Sequence, residues 1–292
     1  MERVTTFLHS GTIGDVWAAI PAINEYYRKY NKRAILYLKL GQEAFYYEGA
    51  NHPTMDSKGN NVMLNKKMVE MMIPLLKEQE SICDARVWNN EKIHLDLDMF
   101  RRTNVGMPSF CLSRWQFYTW PDLACDLSKV WLTVPDSKVD LAKDKIIVTR
   151  TERYTNPNIN YRFLKKYQKD ILFCGTELEY QIFKLRYNLK IKRLKIKNFL
   201  ELAQALKQCK FHISNQTQSF QLSQGLKIPR ILELCKFAPN VIPYGENAYD
   251  FFAQEGLEYY VSVLNGDTPK ALYPEPLVAP SIEITTPELG IK

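Results

Sequence analysis

No stretch of this chain stays apolar for the roughly 18 residues that a bilayer-spanning helix requires, so a helical membrane protein is excluded and a soluble globule is expected. The start, Met1-Glu2-Arg3-Val4, lacks a basic region followed by an apolar segment and cleavage site, so no export signal is expected. The six cysteines form no Cys-x-x-Cys pair, and several lie in apolar segments where a reduced thiol packs as a small hydrophobe. These absences together predict a cytoplasmic protein without a zinc site.

What is present is enough for two cores. At 292 residues and 46% hydrophobic composition the chain accommodates two domains, each large enough to bury its own interior. A formal charge of +7 favours anionic ligands such as nucleotide diphosphates, phosphorylated glycans or nucleic acid, without choosing among them.

The densest chemistry lies at the start, where the apolar strand over residues 3–9 runs into His9-Ser10-Gly11-Thr12-Ile13-Gly14-Asp15 and then a helical pattern. Gly11 and Gly14 would permit positive φ and close approach of a ligand to the backbone, while the N–H groups opening the helix stay free to bind oxygen atoms. Asp15 sits where the helix field favours a carboxylate. The alternative is a plain strand-to-helix turn with Asp15 as N-cap.

Val16, Ala19, Ile20, Ile23, Tyr27 and Tyr30 share one helical face, with Pro21 as an interruption, and a strand follows over Ala34 to Leu40. A helix at Lys66–Leu76 and a strand near Ile82–Val87 extend an α/β layer. From Glu91 to Trp131 dense aromatics beside Pro121 predict an irregular, well-packed lobe. Pro135-Asp136-Ser137-Lys138 is a polar turn before the strand Lys145–Arg150, which puts the boundary between domains 1–140 and 141–292. Beyond it come the strand Ile171–Cys174 and a helix opened by Gly175-Thr176-Glu177-Leu178-Glu179. Thr176 with Glu179, and Asn198 with Glu201, have capping-box spacing. The strand Phe211–Ser214, the polar turn Asn215-Gln216-Thr217-Gln218-Ser219, a short helix and the strand Arg230–Leu234 make a second β–turn–α–β unit. From Thr268 a proline-rich tail is expected along the surface.

Gly11-Thr12-Ile13-Gly14-Asp15 with Ile20-Pro21-Ala22-Ile23, the Cys174-Gly175-Thr176-Glu177 turn, and Phe199–Leu226 with its Asn215-centred loop resemble the ADP-heptose:lipopolysaccharide heptosyltransferases, glycosyltransferase family 9. The resemblance implies two Rossmann-like domains facing each other across a cleft, the GT-B architecture. It implies an inverting, metal-independent glycosyltransferase that needs no cofactor beyond a nucleotide-diphosphate-sugar donor and acts on a glycan or lipopolysaccharide-like acceptor. Asp15 would be the general base, with Gly11, Thr12 and Gly14 beside the donor. Arg150 or Arg153 would neutralise the leaving diphosphate, Gly175, Thr176, Glu177 and Glu179 would hold the nucleotide, and Asn215, Gln216, Thr217, Gln218 and Ser219 would contact phosphates. That last loop has an Asn-Asp-Ser-Gly character in the family and reads Asn-Gln-Thr-Gln-Ser here.

Three further constellations compete. Strand alternation would bring His94, Asp96 and Asp98 to one face as a metal site. His9 is a second candidate base near the glycine turn. Lys184, Arg186, Lys190, Lys192, Arg193, Lys195 and Lys197 form a basic run that would track a phosphate backbone or protect a strand edge. The alternatives to a glycan transferase are accordingly a glycosyltransferase acting on a hydroxylated DNA base and a non-catalytic nucleotide-sugar-binding protein.

Overall fold

The computed structural model describes residues 4–44, 54–103, 111–137 and 140–268. Among them are two all-parallel sheets packed against helices, the α/β class that the strand–helix alternation predicts. Apart from Thr268 itself, the expected proline-rich tail lies outside the described residues.

The first sheet contains β1 (Val4–His9), β2 (Arg33–Leu38), β3 (Ile82–Val87) and β4 (Leu95–Asp96) in the order β3-β2-β1-β4. Alternation along β1 buries Thr5, Phe7 and His9 on one face. Helix α1 (Ile13–Tyr30) begins at Thr12, whose side chain accepts the Asp15 N–H, and ends at Asn31 in the left-handed region at φ 50°. Pro21 does not interrupt this 18-residue helix; the ring is buried, and its missing N–H removes one backbone bond while tertiary packing holds the rest. Helix α2 (Lys66–Leu76) starts from an Asn65 cap.

Between the sheets the chain is irregular, with a 3-10 turn at Met99–Arg102 and the short helix α3 (Trp115–Thr119). Phe100 and Trp115 pack with ring centroids 5.0 Å apart, and Gln116 Nε2 donates to the Leu97 carbonyl at 2.8 Å. The aromatic lobe braces the segment that follows β4.

The second sheet contains β5 (Ile146–Thr149), β6 (Ile171–Phe173), β7 (Lys192–Arg193), β8 (Phe211–Asn215), β9 (Arg230–Glu233) and β10 (Ala248–Phe251), ordered β10-β9-β8-β5-β6-β7. Its helices are α4 (Glu177–Arg186), α5 (Phe199–Gln208), α6 (Gln218–Leu226) and α7 (Gln254–Asn265). The Thr176–Glu179 capping box forms in full. At α5 only half of it does: Asn198 accepts the Glu201 N–H, but the Glu201 carboxylate accepts from Lys197 instead. Strand β10 and helix α7 are unannounced in the sequence, where the strand is short and half-exposed.

In both sheets the chain works outward in one direction from the first strand, then returns to its other side, which is doubly wound order. The reversals lie between β1 and β4 and between β5 and β8. Trp17 and Ile20 of α1, Leu75 of α2, Leu202 of α5 and Leu222 of α6 belong to one buried apolar cluster, so helices of both sheets share a core. A second cluster, including Val148, Tyr161, Phe173 and Leu257, covers the other face of the second sheet.

Candidate active site at two strand crossovers

In a doubly wound sheet the loops leaving the two strands at the reversal diverge to opposite faces and open a crevice at the carboxyl ends. In the first sheet these loops are Ser10–Thr12 after β1 and Leu97–Arg101 after β4. Here Asp98 Oδ2 accepts the Ser10 N–H at 2.6 Å, and Asp98 Oδ1 lies 3.2 Å from His9 Nδ1. Burial opposes the Asp98 charge, yet His9, the Ser10 N–H and Arg101 together hold its carboxyl well below the usual carboxylate range.

Asp15 occupies the third position of α1, not the N-cap, and closes a capping box. Its Oδ2 accepts the Thr12 N–H at 2.8 Å and Arg101 Nη2 at 3.1 Å. Oδ1 accepts no hydrogen bond among the described residues, and the side chain keeps 14% of its surface exposed. Arg101 also brings Nε to 3.5 Å from Asp98 Oδ1, which links the two carboxylates through one guanidinium.

Gly11 serves this arrangement differently from expectation. Neither Gly11 nor Gly14 has positive φ. A Cβ at Gly11 would lie 2.5 Å from Asp15 Oδ2 and 2.8 Å from His9 Cε1, so the glycine makes room for the carboxylate and the imidazole. His9 is fully buried; Nδ1 stands 3.0 Å from the Gly11 nitrogen and 3.2 Å from Asp98 Oδ1, and Nε2 has no hydrogen-bond partner among the described residues. That burial makes His9 a support for the turn and separates it from a solvent-borne acceptor.

In the second sheet the crevice lies between the loop after β5 and the loop after β8. Asn215 spans it: Nδ2 donates to the carbonyls of Thr151 at 3.0 Å and Tyr154 at 2.9 Å, and Oδ1 accepts the Thr151 N–H at 3.1 Å. Gln216 is tied to the Ala238 carbonyl and to the Cys235 N–H. Thr217 and Ser219 are buried, with their hydroxyls 2.7 Å apart, and they join a hydroxyl cluster with Thr149, Ser214 and His212. These side chains build the loop from within, and Gln218 is its one residue that is not fully buried.

The two crevices meet. A Cβ at Gly14 would lie 3.8 Å from the Gln218 backbone, so α1 and α6 begin side by side. Burial, and among nearby charges Asp15, push the Tyr154 phenol up to about 12, with Arg153 acting in the opposite sense. The guanidinium of Arg153 lies over the Tyr154 ring at 5.5 Å.

Arg150 is turned elsewhere. Its guanidinium makes two hydrogen bonds to the fully buried Glu233, and the Tyr161 hydroxyl and Asn156 N–H complete that carboxylate's partners. A cavity of about 640 Å³ is lined by Arg150, residues 155–160, Arg162, Arg186 and Tyr187, and shares Arg150 with the donor-site candidates and Arg186 with the basic run. Around Gly175, Arg193 donates to the Gly175 carbonyl and pairs with Glu177 at 2.6 Å, while Glu179 Oε2 accepts both the N–H and hydroxyl of Thr176.

The rival constellations disperse. His94 Nδ1 lies 2.6 Å from the Thr6 hydroxyl, Asp96 accepts the Asp98 N–H, and Asp98 faces His9, so the three do not converge. Among the described residues no group of three or more potential ligands could hold a metal ion. In the basic run Arg186 pairs with Glu152 and Arg193 with Glu177, which divides its charge. No described helix is long and apolar enough to cross a membrane. Arg101 beside Asp15, and Asp98 behind Arg101, are the residues that sequence reasoning missed at this site. An acidic residue just past a fourth parallel strand was the available signal for Asp98.

No family model and no curated protein matches the sequence. Solved structures do match the fold. A glycosyl transferase family 9 protein from Veillonella parvula is 12% identical with a TM-score of 0.53, over 93% of this chain and 92% of that one. E. coli heptosyltransferase WaaC with ADP is 10% identical with a TM-score of 0.57, over 89% and 99%. E. coli ADP-heptose lps heptosyltransferase II is 12% identical with a TM-score of 0.53, over 90% and 96%. The chain shares its fold with these transferases.

Proposed function

We propose that this chain is a divergent glycosyltransferase of the family 9 type, with domains meeting near residue 140 and facing each other across a cleft. It moves a sugar from a nucleotide-diphosphate donor to a hydroxyl of a glycan or lipopolysaccharide-like acceptor, with inversion and without a metal. The observation that carries this reading is the meeting of the two crossover crevices. It brings Gly14 of the first sheet's helix start, one residue from Asp15, against Gln218 of the second.

Asp15 accepts the proton of the acceptor hydroxyl as that oxygen attacks the anomeric carbon, and general-base help of this kind is worth about 100- to 10,000-fold. The diphosphate lies at the start of α6, where the helix field and N–H groups favour negative charge. Arg150 is already neutralised by Glu233, so Arg153 is the guanidinium assigned to the leaving group. ADP bound to WaaC makes ADP-sugars the first donors to try.

The test is release of nucleoside diphosphate from a panel of nucleotide sugars, with glycan, lipopolysaccharide-core and DNA acceptors, for the wild type and Asp15→Asn, with and without EDTA. Turnover that survives EDTA and disappears in the variant supports the reading. Loss of turnover with EDTA overturns the metal-independent mechanism, and binding without turnover identifies a nucleotide-sugar-binding protein instead.

A further inference from the structure

Arg101 stands between two carboxylates, with Nη2 3.1 Å from Asp15 Oδ2 and Nε 3.5 Å from Asp98 Oδ1. Such a bridge positions Asp15 only if its far end is fixed, and it is. Asp98 is tied by the Ser10 N–H at 2.6 Å and faces His9 at 3.2 Å. The segment carrying Arg101 is pinned at Leu97, whose N–H donates to the Leu8 carbonyl and whose own carbonyl accepts from Gln116. The guanidinium lies over the Phe100 ring at 4.8 Å, and that ring packs against Trp115.

The consequence falls on one atom. Thr12 and Arg101 both occupy Asp15 Oδ2, and among the described residues Oδ1 is the oxygen without a donor. The capping bond alone would leave the carboxylate free to tilt about it; the second donor removes that freedom, as a base aimed at one hydroxyl requires.

We propose that Arg101 is a positioning residue for Asp15, anchored on Asp98, which turns the carboxylate so that Oδ1 meets the acceptor hydroxyl; this rests on Asp15 being the base. In that step the acceptor oxygen forms its bond to the anomeric carbon and passes its proton to Oδ1. The bond from that carbon to the diphosphate breaks, and the electron pair leaves with the diphosphate. Arg101 neither gains nor loses a proton.

The experiment uses the full chain and the donor that turns over in the panel above, measuring kcat and KM for Arg101→Ala, Asp15→Asn and the double variant, with melting curves for each. Arg101→Ala should lower kcat by about 10- to 100-fold and leave the donor KM within about two-fold. Guanidinium chloride at low millimolar concentration should restore part of the loss, and the double variant should be no slower than Asp15→Asn. If the alanine variant fails to fold, Arg101→Gln keeps most of the aliphatic stem and carries the same expectations apart from rescue. A wild-type kcat in the Arg101 variants beside an inactive Asp15→Asn overturns the positioning role and leaves the base intact. A fully active Asp15→Asn, or no turnover with any donor and acceptor, overturns both.

Discussion

Arg150 and Glu233 form a buried ion pair with two near-parallel hydrogen bonds, Nε to Oε2 at 2.7 Å and Nη2 to Oε1 at 2.9 Å. The pair joins the end of β5 to the end of β9, with β8 between them in the sheet. Removing one member strands the other in the interior, so Arg150→Ala should cost about 3–5 kcal/mol in urea unfolding. An Arg150→Met/Glu233→Leu double variant should recover only part of that loss, because the Tyr161 hydroxyl and Asn156 N–H also lose their acceptor. Unchanged stability in Arg150→Ala would return Arg150 to the list of donor-binding candidates.

The two glycines of the first turn should behave oppositely. Gly11→Ala forces a methyl to within 2.5 Å of Asp15 Oδ2 and should cost about 1–3 kcal/mol while displacing the carboxylate. Gly14→Ala meets nothing closer than 3.7 Å and lies inside α1, where alanine is the better helix former. Melting curves of the two variants should separate cleanly, with Gly14→Ala at or above the wild type.

The sequence carries the local rules of this fold well and its long-range pairings poorly. Caps at Thr12, Thr176 and Asn198 involve residues three apart, and strand and helix periodicity is equally local, so most elements of both sheets are legible. Pro21 misleads because buried packing outweighs one lost hydrogen bond. The turn at Gly11 is legible as a turn, but the reason for the glycine is not. What crowds it is a side chain four residues on together with His9, and that is a matter of rotamers. Arg150 invites a ligand-binding reading because its partner, Glu233, lies 83 positions away in an apolar strand. For the same reason Arg101 is invisible as the neighbour of Asp15, 86 positions earlier.

His212 predicts a pH dependence. Burial, with Arg230 assisting, pushes its imidazole down to about 3 from an ordinary 6.5. The unfolded chain therefore takes up a proton below about 6.5 that the folded protein refuses until pH approaches 3, and stability falls on acidification through that window. At about 1.4 kcal/mol per pH unit, the contribution lost between pH 6.5 and 5 is roughly 2 kcal/mol. His212→Gln has nothing to titrate there, so its stability relative to wild type should improve as the pH drops. A constant difference between the two proteins from pH 7 to 5 would show that His212 titrates normally.

Asn215 offers the sharpest test of whether the second loop acts through its side chains or through the frame they build. Its amide holds the Thr151 and Tyr154 carbonyls and the Thr151 N–H, which fixes the segment bearing Arg153. Asn215→Ala should therefore cost about 1–3 kcal/mol by stranding those groups, and it should raise the donor KM because Arg153 loses its seat. Asn215→Asp keeps an acceptor for the Thr151 N–H but sets a carboxylate against two carbonyl oxygens, so it should be at least as damaging as alanine. Urea unfolding and donor KM, measured on both variants, separate the roles. A side chain that touches the donor would raise KM at unchanged stability, whereas one that builds the loop must lose stability first and affinity as its consequence.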